Sequence, residues 1–309
     1  MPELLVAMTA HPRPEAARLD RALASLRGLA VGDALGSQFF VPAHYPALSE
    51  RRLPPAPWQW TDDTEMACSV VAVLARHGRV DQDALVSSFA EHHDVDRGYG
   101  PAVGRMLRQI RQEGADWREL AGSLFNGQGS WGNGAAMRIA PLGAWYAGRP
   151  QSAAGEAELS AATTHRHGEA VAGAVAVAAA AALVADPAGP PAPEALLGAV
   201  LDLVPRSAVR AGVRRALDLL DYGDVATVAA VLGCGRRTSA HDTVPFTLWA
   251  AARHLTDYEG AFWSTAGAGG DVDTTCAIVG GILAAGAAGA PPPAWTQRTE
   301  PLPEWATAA

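Results

Sequence analysis

Cysteine is scarce, and its placement excludes two kinds of structure. Cys68, Cys234 and Cys276 are scattered over 309 residues with no CxxC spacing, so neither a zinc ribbon nor a disulfide framework is indicated. Reduced, buried thiols in a cytoplasmic protein are the expectation. Aromatic residues make up only 6% of the chain while hydrophobic residues reach 49%. The core must therefore be built mainly from alanine, valine and leucine, which favours closely packed helices. No long basic run occurs, and 24 basic against 32 acidic residues leave a net charge of −8. Binding to a nucleic-acid backbone is not expected on that balance.

Long apolar runs are missing too. The most apolar stretch, AVAGAVAVAAAAALVA at 170–185, is shorter than the ~20 residues of a bilayer span. It reads as a buried helix, and no membrane partner is expected. The N-terminus, MPELLVAMTAHPRPEAAR, lacks the basic start and continuous apolar segment of a signal peptide, so no export is expected. Strand-type alternation is nearly absent, and the few β-branched clusters fall inside alanine-rich periodic stretches. The fold class predicted is all-α.

Helical spacing is what the chain has in quantity. Leu19, Leu23, Leu26 and Ala30 predict a helix from Pro14 to Gly36. Met66, Val70 and Val73 or Leu74 share a face between Glu65 and His77, with Gly78 as the stop. Val103, Met106, Leu107 and Ile110 form another stripe, as do Val213, Leu217 and Leu220, and Phe246, Trp249 and Ala250. DPAGPPAP at 186–193 reads as an inter-helix loop, and 41–58 as a proline-spaced loop. These breaks divide the chain into an N-terminal tail at 1–14, one domain at 15–290 and a Pro-rich C-terminal tail at 291–309. The C-terminal tail is expected to pack loosely or not at all.

Two stretches place surplus carboxylates at helix starts. In WTDDTEM, Thr61, Asp62 and Asp63 precede one apolar pattern; in GGDVDTT, Asp271, Asp273 and Thr274 precede another, predicted at 275–288. Asp and Thr are good capping residues, and capping alone is one reading. A cap needs one side chain, however, and each start offers two carboxylates and a hydroxyl. If the two starts converge, the all-oxygen set suits a pair of hard divalent ions such as magnesium or manganese.

Three further stretches carry candidate binding groups. FNGQGSWGNG at 125–134 is rich in glycine, so backbone N–H groups can approach an anion, and Phe125 and Trp131 can stack on a base. A flexible loop whose aromatics pack on the core is the competing reading. TTHRHG offers His165 as a donor to a phosphate or hydroxyl; a cap histidine is an equal alternative, and the two-residue step to His167 is poor for a two-histidine metal site. In DVDRGYG, Asp96, Tyr99 and Gly100 can supply a substrate-contacting carboxylate and an aromatic face, or form an ordinary solvated turn.

Taken in order, GLAVGDALG (28–36), WTDDTEM, RGYG, GSWGNGAAMRIAP, TH and GGDVDTTCAIVGG resemble the ADP-ribosylglycohydrolase family over about residues 20–290. The resemblance implies a compact multi-helix orthogonal bundle with a binuclear magnesium or manganese centre at the base of a cleft. The ligands implied are Thr61, Asp62, Asp63, Asp271, Asp273 and Thr274. Gly129, Ser130, Trp131, Gly132, Asn133 and Gly134 would wrap the ADP-ribose diphosphate and ribose, Phe125 and Trp131 flank the adenine, and His165 contact a phosphate. Asp62 or Asp63 would manage the proton. The activity implied is metal-dependent release of ADP-ribose from a protein side chain or a small acceptor, by a monomeric enzyme. Two other functions are compatible: a non-catalytic ADP-ribose-binding or structural relative, and a metallohydrolase of another phosphorylated or glycosylated small molecule. One departure stands out, because some members carry a metal-reaching glutamate shortly after GDALG and this chain reads SQFFVPAHYP there, with Phe39 and Phe40.

Overall fold

Glycines spaced four apart decide how the first and last long helices meet. The computed structural model describes residues 14–307, and its first helix, Pro14–Ser37, lies along Val272–Ala284 in the most extensive interhelical contact of the fold. A Cβ on Gly32 would stand 2.2 Å from the carbonyl oxygen of Cys276, and one on Gly280 would stand 2.5 Å from that of Gly28. Only residues without a side chain permit that approach. One hydrogen bond fastens the pair, Ser25 Oγ donating to the Gly281 carbonyl at 2.7 Å, and a neighbouring helix adds another to the first, Tyr258 Oη donating to the Gly28 carbonyl at 2.5 Å. Asp33, near the C-terminal end of the first helix, is thereby carried to the start of the last.

The remaining long helices are Asp62–His77, Gln82–His92, Pro101–Glu113, Pro150–Ala162, Gly168–Val184, Pro193–Leu203, Ala208–Asp218, Ala240–Arg253 and Tyr258–Gly267. Gly168–Val184, the alanine-rich stretch, runs through the core and is buried on nearly every side. Small side chains let it pack closely on both Pro150–Ala162 and Ala140–Trp145. Among the described residues no helix is long and apolar enough to cross a membrane. Strand pairing there is confined to two isolated bridges, Trp58 with Thr299 and Gly132 with Ser239. The all-α class holds.

Both acid-bearing helices begin three residues earlier than their apolar periodicity suggests, at Asp62 and Val272. Their first turns are made by the carboxylate residues themselves, with Thr61 as the cap of one and Asp271 at the cap position of the other. The loop at 41–58 also contains short helical turns, at Pro42–His44 and Tyr45–Ser49.

The C-terminal segment corrects one expectation. Residues 291–307 are packed, with Trp295 only 4% exposed among Tyr258, Phe262 and Trp263, and with Trp305 stacked on His92. Proline-rich composition suggested a loose tail, but three aromatic or charged anchors outweigh it. The third anchor is Glu300, which accepts from both terminal nitrogens of Arg97 at 2.7 and 2.8 Å. Arg97 also lies 3.6 Å above the Trp60 ring and donates to the Trp60 carbonyl at 2.9 Å. The segment therefore braces the residue that leads into Thr61 and Asp62. The tail assigned to 1–14 lies outside the described residues, apart from Pro14 at the start of the first helix.

Candidate active site

Converging helix starts create a strongly acidic cleft floor. Asp33, Asp63 and Asp273 each bring a carboxylate oxygen within 4.8 Å of the other two. Asp62, Asp63, Asp271, Asp273 and Thr274 line a cleft of about 460 Å³. The N-termini of Asp62–His77 and Val272–Ala284 both point at the cluster, and their helix dipoles favour negative charge there.

Favourable dipoles do not offset the crowding. Burial pushes Asp33 up to about 6, against four hydrogen bonds that lower it. Asp62 is pushed up to about 8 by burial and then by the charge of Asp33. Asp63 and Asp273 lie well above the carboxylate range, from burial first and then from Asp33 and Asp271 respectively. Asp271 is raised by burial and held back by Asn133. Such a cluster must take up protons or cations.

The donor set fits a hard cation. Every group is an oxygen, and Asp63 Oδ1 is buried without a hydrogen-bond partner among the described residues. Asp63 Oδ2 accepts from Thr274 Oγ1 at 3.4 Å and lies 3.1 Å from Thr61 Oγ1, whose single hydrogen it shares with the nearer Asp33 Oδ1. One oxygen is thus oriented by neighbours while the other is left bare, as a ligand to magnesium or manganese would be.

Asp33 is the carboxylate of the cluster that sequence reasoning missed, and it lies behind the residues that line the cleft. It is fully buried and accepts from the Thr61 and Thr64 backbone N–H groups at 2.9 and 3.1 Å and from their hydroxyls at 2.8 and 2.6 Å. The available signal was a carboxylate inside the small, apolar helical run GLAVGDALG. Thr61 reaches the cluster through Asp33 and Asp63 and does not line the cleft.

The glycine-rich loop forms one wall. Phe125, Ser130, Trp131, Gly132, Asn133 and Gly134 line the cleft. Internal bonds occupy several of its N–H groups: Gly129 donates to the Leu124 carbonyl at 3.0 Å, Gly132 to Ser130 Oγ at 3.2 Å, and Asn133 to the Thr238 carbonyl at 3.0 Å. Among the described residues the N–H groups of Ser130, Trp131 and Gly134 have no such acceptor. Those three are free to meet an anion. The Asn133 amide donates to Asp271 Oδ2 at 2.7 Å and to Thr243 Oγ1 at 3.1 Å, so it ties Asp271 to the Ala240–Arg253 helix.

Two exposed aromatics stand at the rim, Phe125 at 56% and Trp131 at 51%. Phe125 has φ of 50°, and Thr238, which sequence reading did not single out, lines the cleft with φ of 51°. Side chains rarely adopt that region, and such strain collects at ligand sites. His165 also lines the cleft; burial and then the charge of Arg138 lower it to about 3, so it is neutral.

Three assigned contacts lie elsewhere. Gly129 sits behind the wall, where a Cβ would come 2.8 Å from the His167 nitrogen. Asp96 is exposed and borders a separate cavity with Gln38 and Arg97. Tyr99 is half-buried and donates to Glu65 Oε1 at 2.7 Å, holding its loop against the Asp62–His77 helix. Gly98 and Gly100 of that loop do line the cleft. Phe39 is buried against Phe262 and Trp263 while Phe40 is exposed, and neither lines the cleft.

Comparison with known proteins gives this geometry a context. The sequence profile described as ADP-ribosylglycohydrolase matches residues 14–309. ADP-ribosylhydrolase ARH3 of Homo sapiens is 29% identical over 255 residues, which cover 73% of this chain and 70% of that protein. The ADP-ribosyl-dinitrogen reductase glycohydrolase of Rhodospirillum rubrum is 32% identical over 161 residues, covering 48% of this chain and 52% of its own. A solved structure described as an ADP-ribosylglycohydrolase-related protein complex superposes with a TM-score of 0.64 at 27% identity, over 92% of this chain and 94% of that one. With a profile match across the full described length, and a solved relative of similar fold over most of the chain, the chain belongs to the ADP-ribosylglycohydrolase family.

Proposed function

We propose that this chain is a divalent-metal-dependent hydrolase that cleaves the glycosidic bond joining ADP-ribose to a protein side chain or small acceptor and releases ADP-ribose. The observation that carries the reading is the acidic cluster, where carboxylates from three helices lie within 4.8 Å of one another, beside a cleft with no cationic side chain among its lining residues. Asp62, Asp63, Asp271 and Asp273, with Thr61, Thr274 and the newly found Asp33, would hold two magnesium or manganese ions. When bound, such ions supply positive charge that orients ribose hydroxyls and acidifies water.

The chain's own residues supply the remainder. The free N–H groups of Ser130, Trp131 and Gly134 would bind the diphosphate oxygens, and His165 would add a neutral donor. Phe125 and Trp131, both exposed and both lining the cleft, would flank the adenine. Asn133 keeps Asp271 oriented from behind. Of the two carboxylates assigned to the proton, Asp62 is the less enclosed, because Asp63 is tied to Thr61 and Thr274. Asp62 is the better carrier of a proton to or from the reacting atom.

Phe39 and Phe40, in the neighbourhood where some members carry a glutamate, favour a second reading in which ADP-ribose is bound without turnover. Product analysis separates these readings. Arginine-, serine- and nucleotide-linked ADP-ribose are incubated with the magnesium-loaded protein, and free ADP-ribose is the expected product from at least one. Release of inorganic phosphate would point to a different hydrolase, and binding with no product to the second reading.

A further inference from the structure

A fully buried arginine lies behind the cleft, in the run GAAMRIAP. Arg138 has no exposed surface, stands 4.8 Å from the Phe89 ring centroid and donates to the carbonyls of Gly134 at 3.1 Å and Ser160 at 2.9 Å. Its Nη1 also lies 3.0 Å from Thr164 Oγ1. Burial lowers Arg138 to about 9, which leaves it protonated at neutral pH. A guanidinium has only donors, so the Thr164 oxygen accepts.

The same hydroxyl oxygen lies 2.7 Å from His165 Nδ1. Thr164 is completely buried, and among the described residues Oγ1 has no third partner. If Nδ1 carried the histidine proton, the hydroxyl would accept twice and its own hydrogen would be buried without an acceptor. The hydroxyl therefore donates to Nδ1, and the histidine proton sits on Nε2. That nitrogen faces the glycine wall: a Cβ would stand 2.9 Å from it on Gly134 and 3.3 Å from it on Gly132. His165 is nine-tenths buried and lines the cleft, and Nε2 has no partner among the described residues.

We propose that Arg138 and Thr164 are positioning residues that lock His165 as the neutral Nε2–H tautomer, so that the cleft presents a fixed, uncharged donor to an anionic substrate oxygen. Arg138 acts at one remove. Its charge stays sealed in the core while its donor bond sets the direction of the Thr164 hydroxyl, and the Gly134 bond holds the wall against the same ring. The choice of a diphosphate oxygen as the recipient rests on the ADP-ribose reading; the tautomer does not.

The test is nitrogen-15 NMR of the full chain at about pH 7, with the His165 signals identified by their absence from His165→Gln. Wild type should show a protonated Nε2 and a bare Nδ1. Thr164→Ser should preserve that signature, and Thr164→Val should lose it. With magnesium present, calorimetry should find ADP-ribose bound about tenfold more weakly by Thr164→Val and near wild-type affinity restored in Thr164→Ser. A protonated Nδ1 in wild type overturns the assignment whether or not the valine variant folds, as does an unchanged signature in Thr164→Val. The stated tautomer in a wild-type protein that binds no ADP-ribose would sink the functional reading and leave the assignment standing.

Discussion

Stripped of divalent cations, the protein should lose stability as the pH rises from about 6.5 to about 8.5. The cause is the crowding at the cleft floor. Asp62, with an ordinary value of 3.8, is pushed up to about 8 by burial and then by the charge of Asp33. Unfolded, it is ionised throughout that window; folded, it keeps a proton until the pH passes about 8. The folded state therefore holds the extra proton, and stability falls with rising pH until the folded group has ionised. At about 1.4 kcal/mol per pK unit, Asp62 alone accounts for about 2 kcal/mol over the window.

Its neighbours do not reverse the sign. Asp63 and Asp273 are raised in the same direction and deepen the loss. Asp33, at about 6, has largely ionised before the window opens. His93, His165 and His254 are all lowered by burial, so they cost stability at low pH, where their unfolded forms are protonated. That cost fades as the pH passes their ordinary value of 6.5. Thermal unfolding in chelator at the two pH values should show Tm falling by roughly 4–8 °C. Excess magnesium or manganese, which binds the ionised carboxylates, should abolish the fall. A chelated protein equally stable at both values, or more stable at the higher, refutes the reasoning.

Other expectations follow from single side chains. Asp63→Asn should abolish turnover while metal-free stability is kept or raised, since it removes a buried carboxyl that the folded state must hold protonated; circular dichroism and a turnover assay check both halves. Trp131→Ala should weaken ADP-ribose binding by about 1–3 kcal/mol in calorimetry, if stacking at this rim resembles base stacking elsewhere. Glu300→Ala should lower stability by about 1–2 kcal/mol in urea unfolding, because Arg97 loses a two-pronged partner in a partly buried pair. An unchanged midpoint would show that the C-terminal segment is held by Trp295 and Trp305 alone.

Much of this was legible in the sequence, for identifiable reasons. Helices were readable because their apolar faces repeat at helical spacing, as at Val103, Met106 and Leu107. The pairing of Asp62 and Asp63 with Asp271 and Asp273 was readable because each helix start holds more carboxylate than a cap requires. Asp33 was not, because it lies inside a helix, away from any helix start, and the glycine-mediated contact of Gly28, Gly32 and Gly36 with the last helix brings it to the cluster. The packed C-terminus was hidden for a similar reason: Arg97 and Glu300 are 203 residues apart, and composition says nothing of such a pair. Tyr99 and Asn133 also make bonds within the protein that spacing does not reveal, to Glu65 and to Asp271 and Thr243 respectively, because those partners lie far away in the sequence.

The most direct test of the central claim is ADP-ribose release from a linked substrate, followed in parallel with magnesium and with excess chelator. The account predicts free ADP-ribose in the first sample, almost none in the second, and recovery when magnesium is restored. Undiminished release in chelator, or no release by the metal-loaded protein from arginine-, serine- and nucleotide-linked substrates alike, would contradict it.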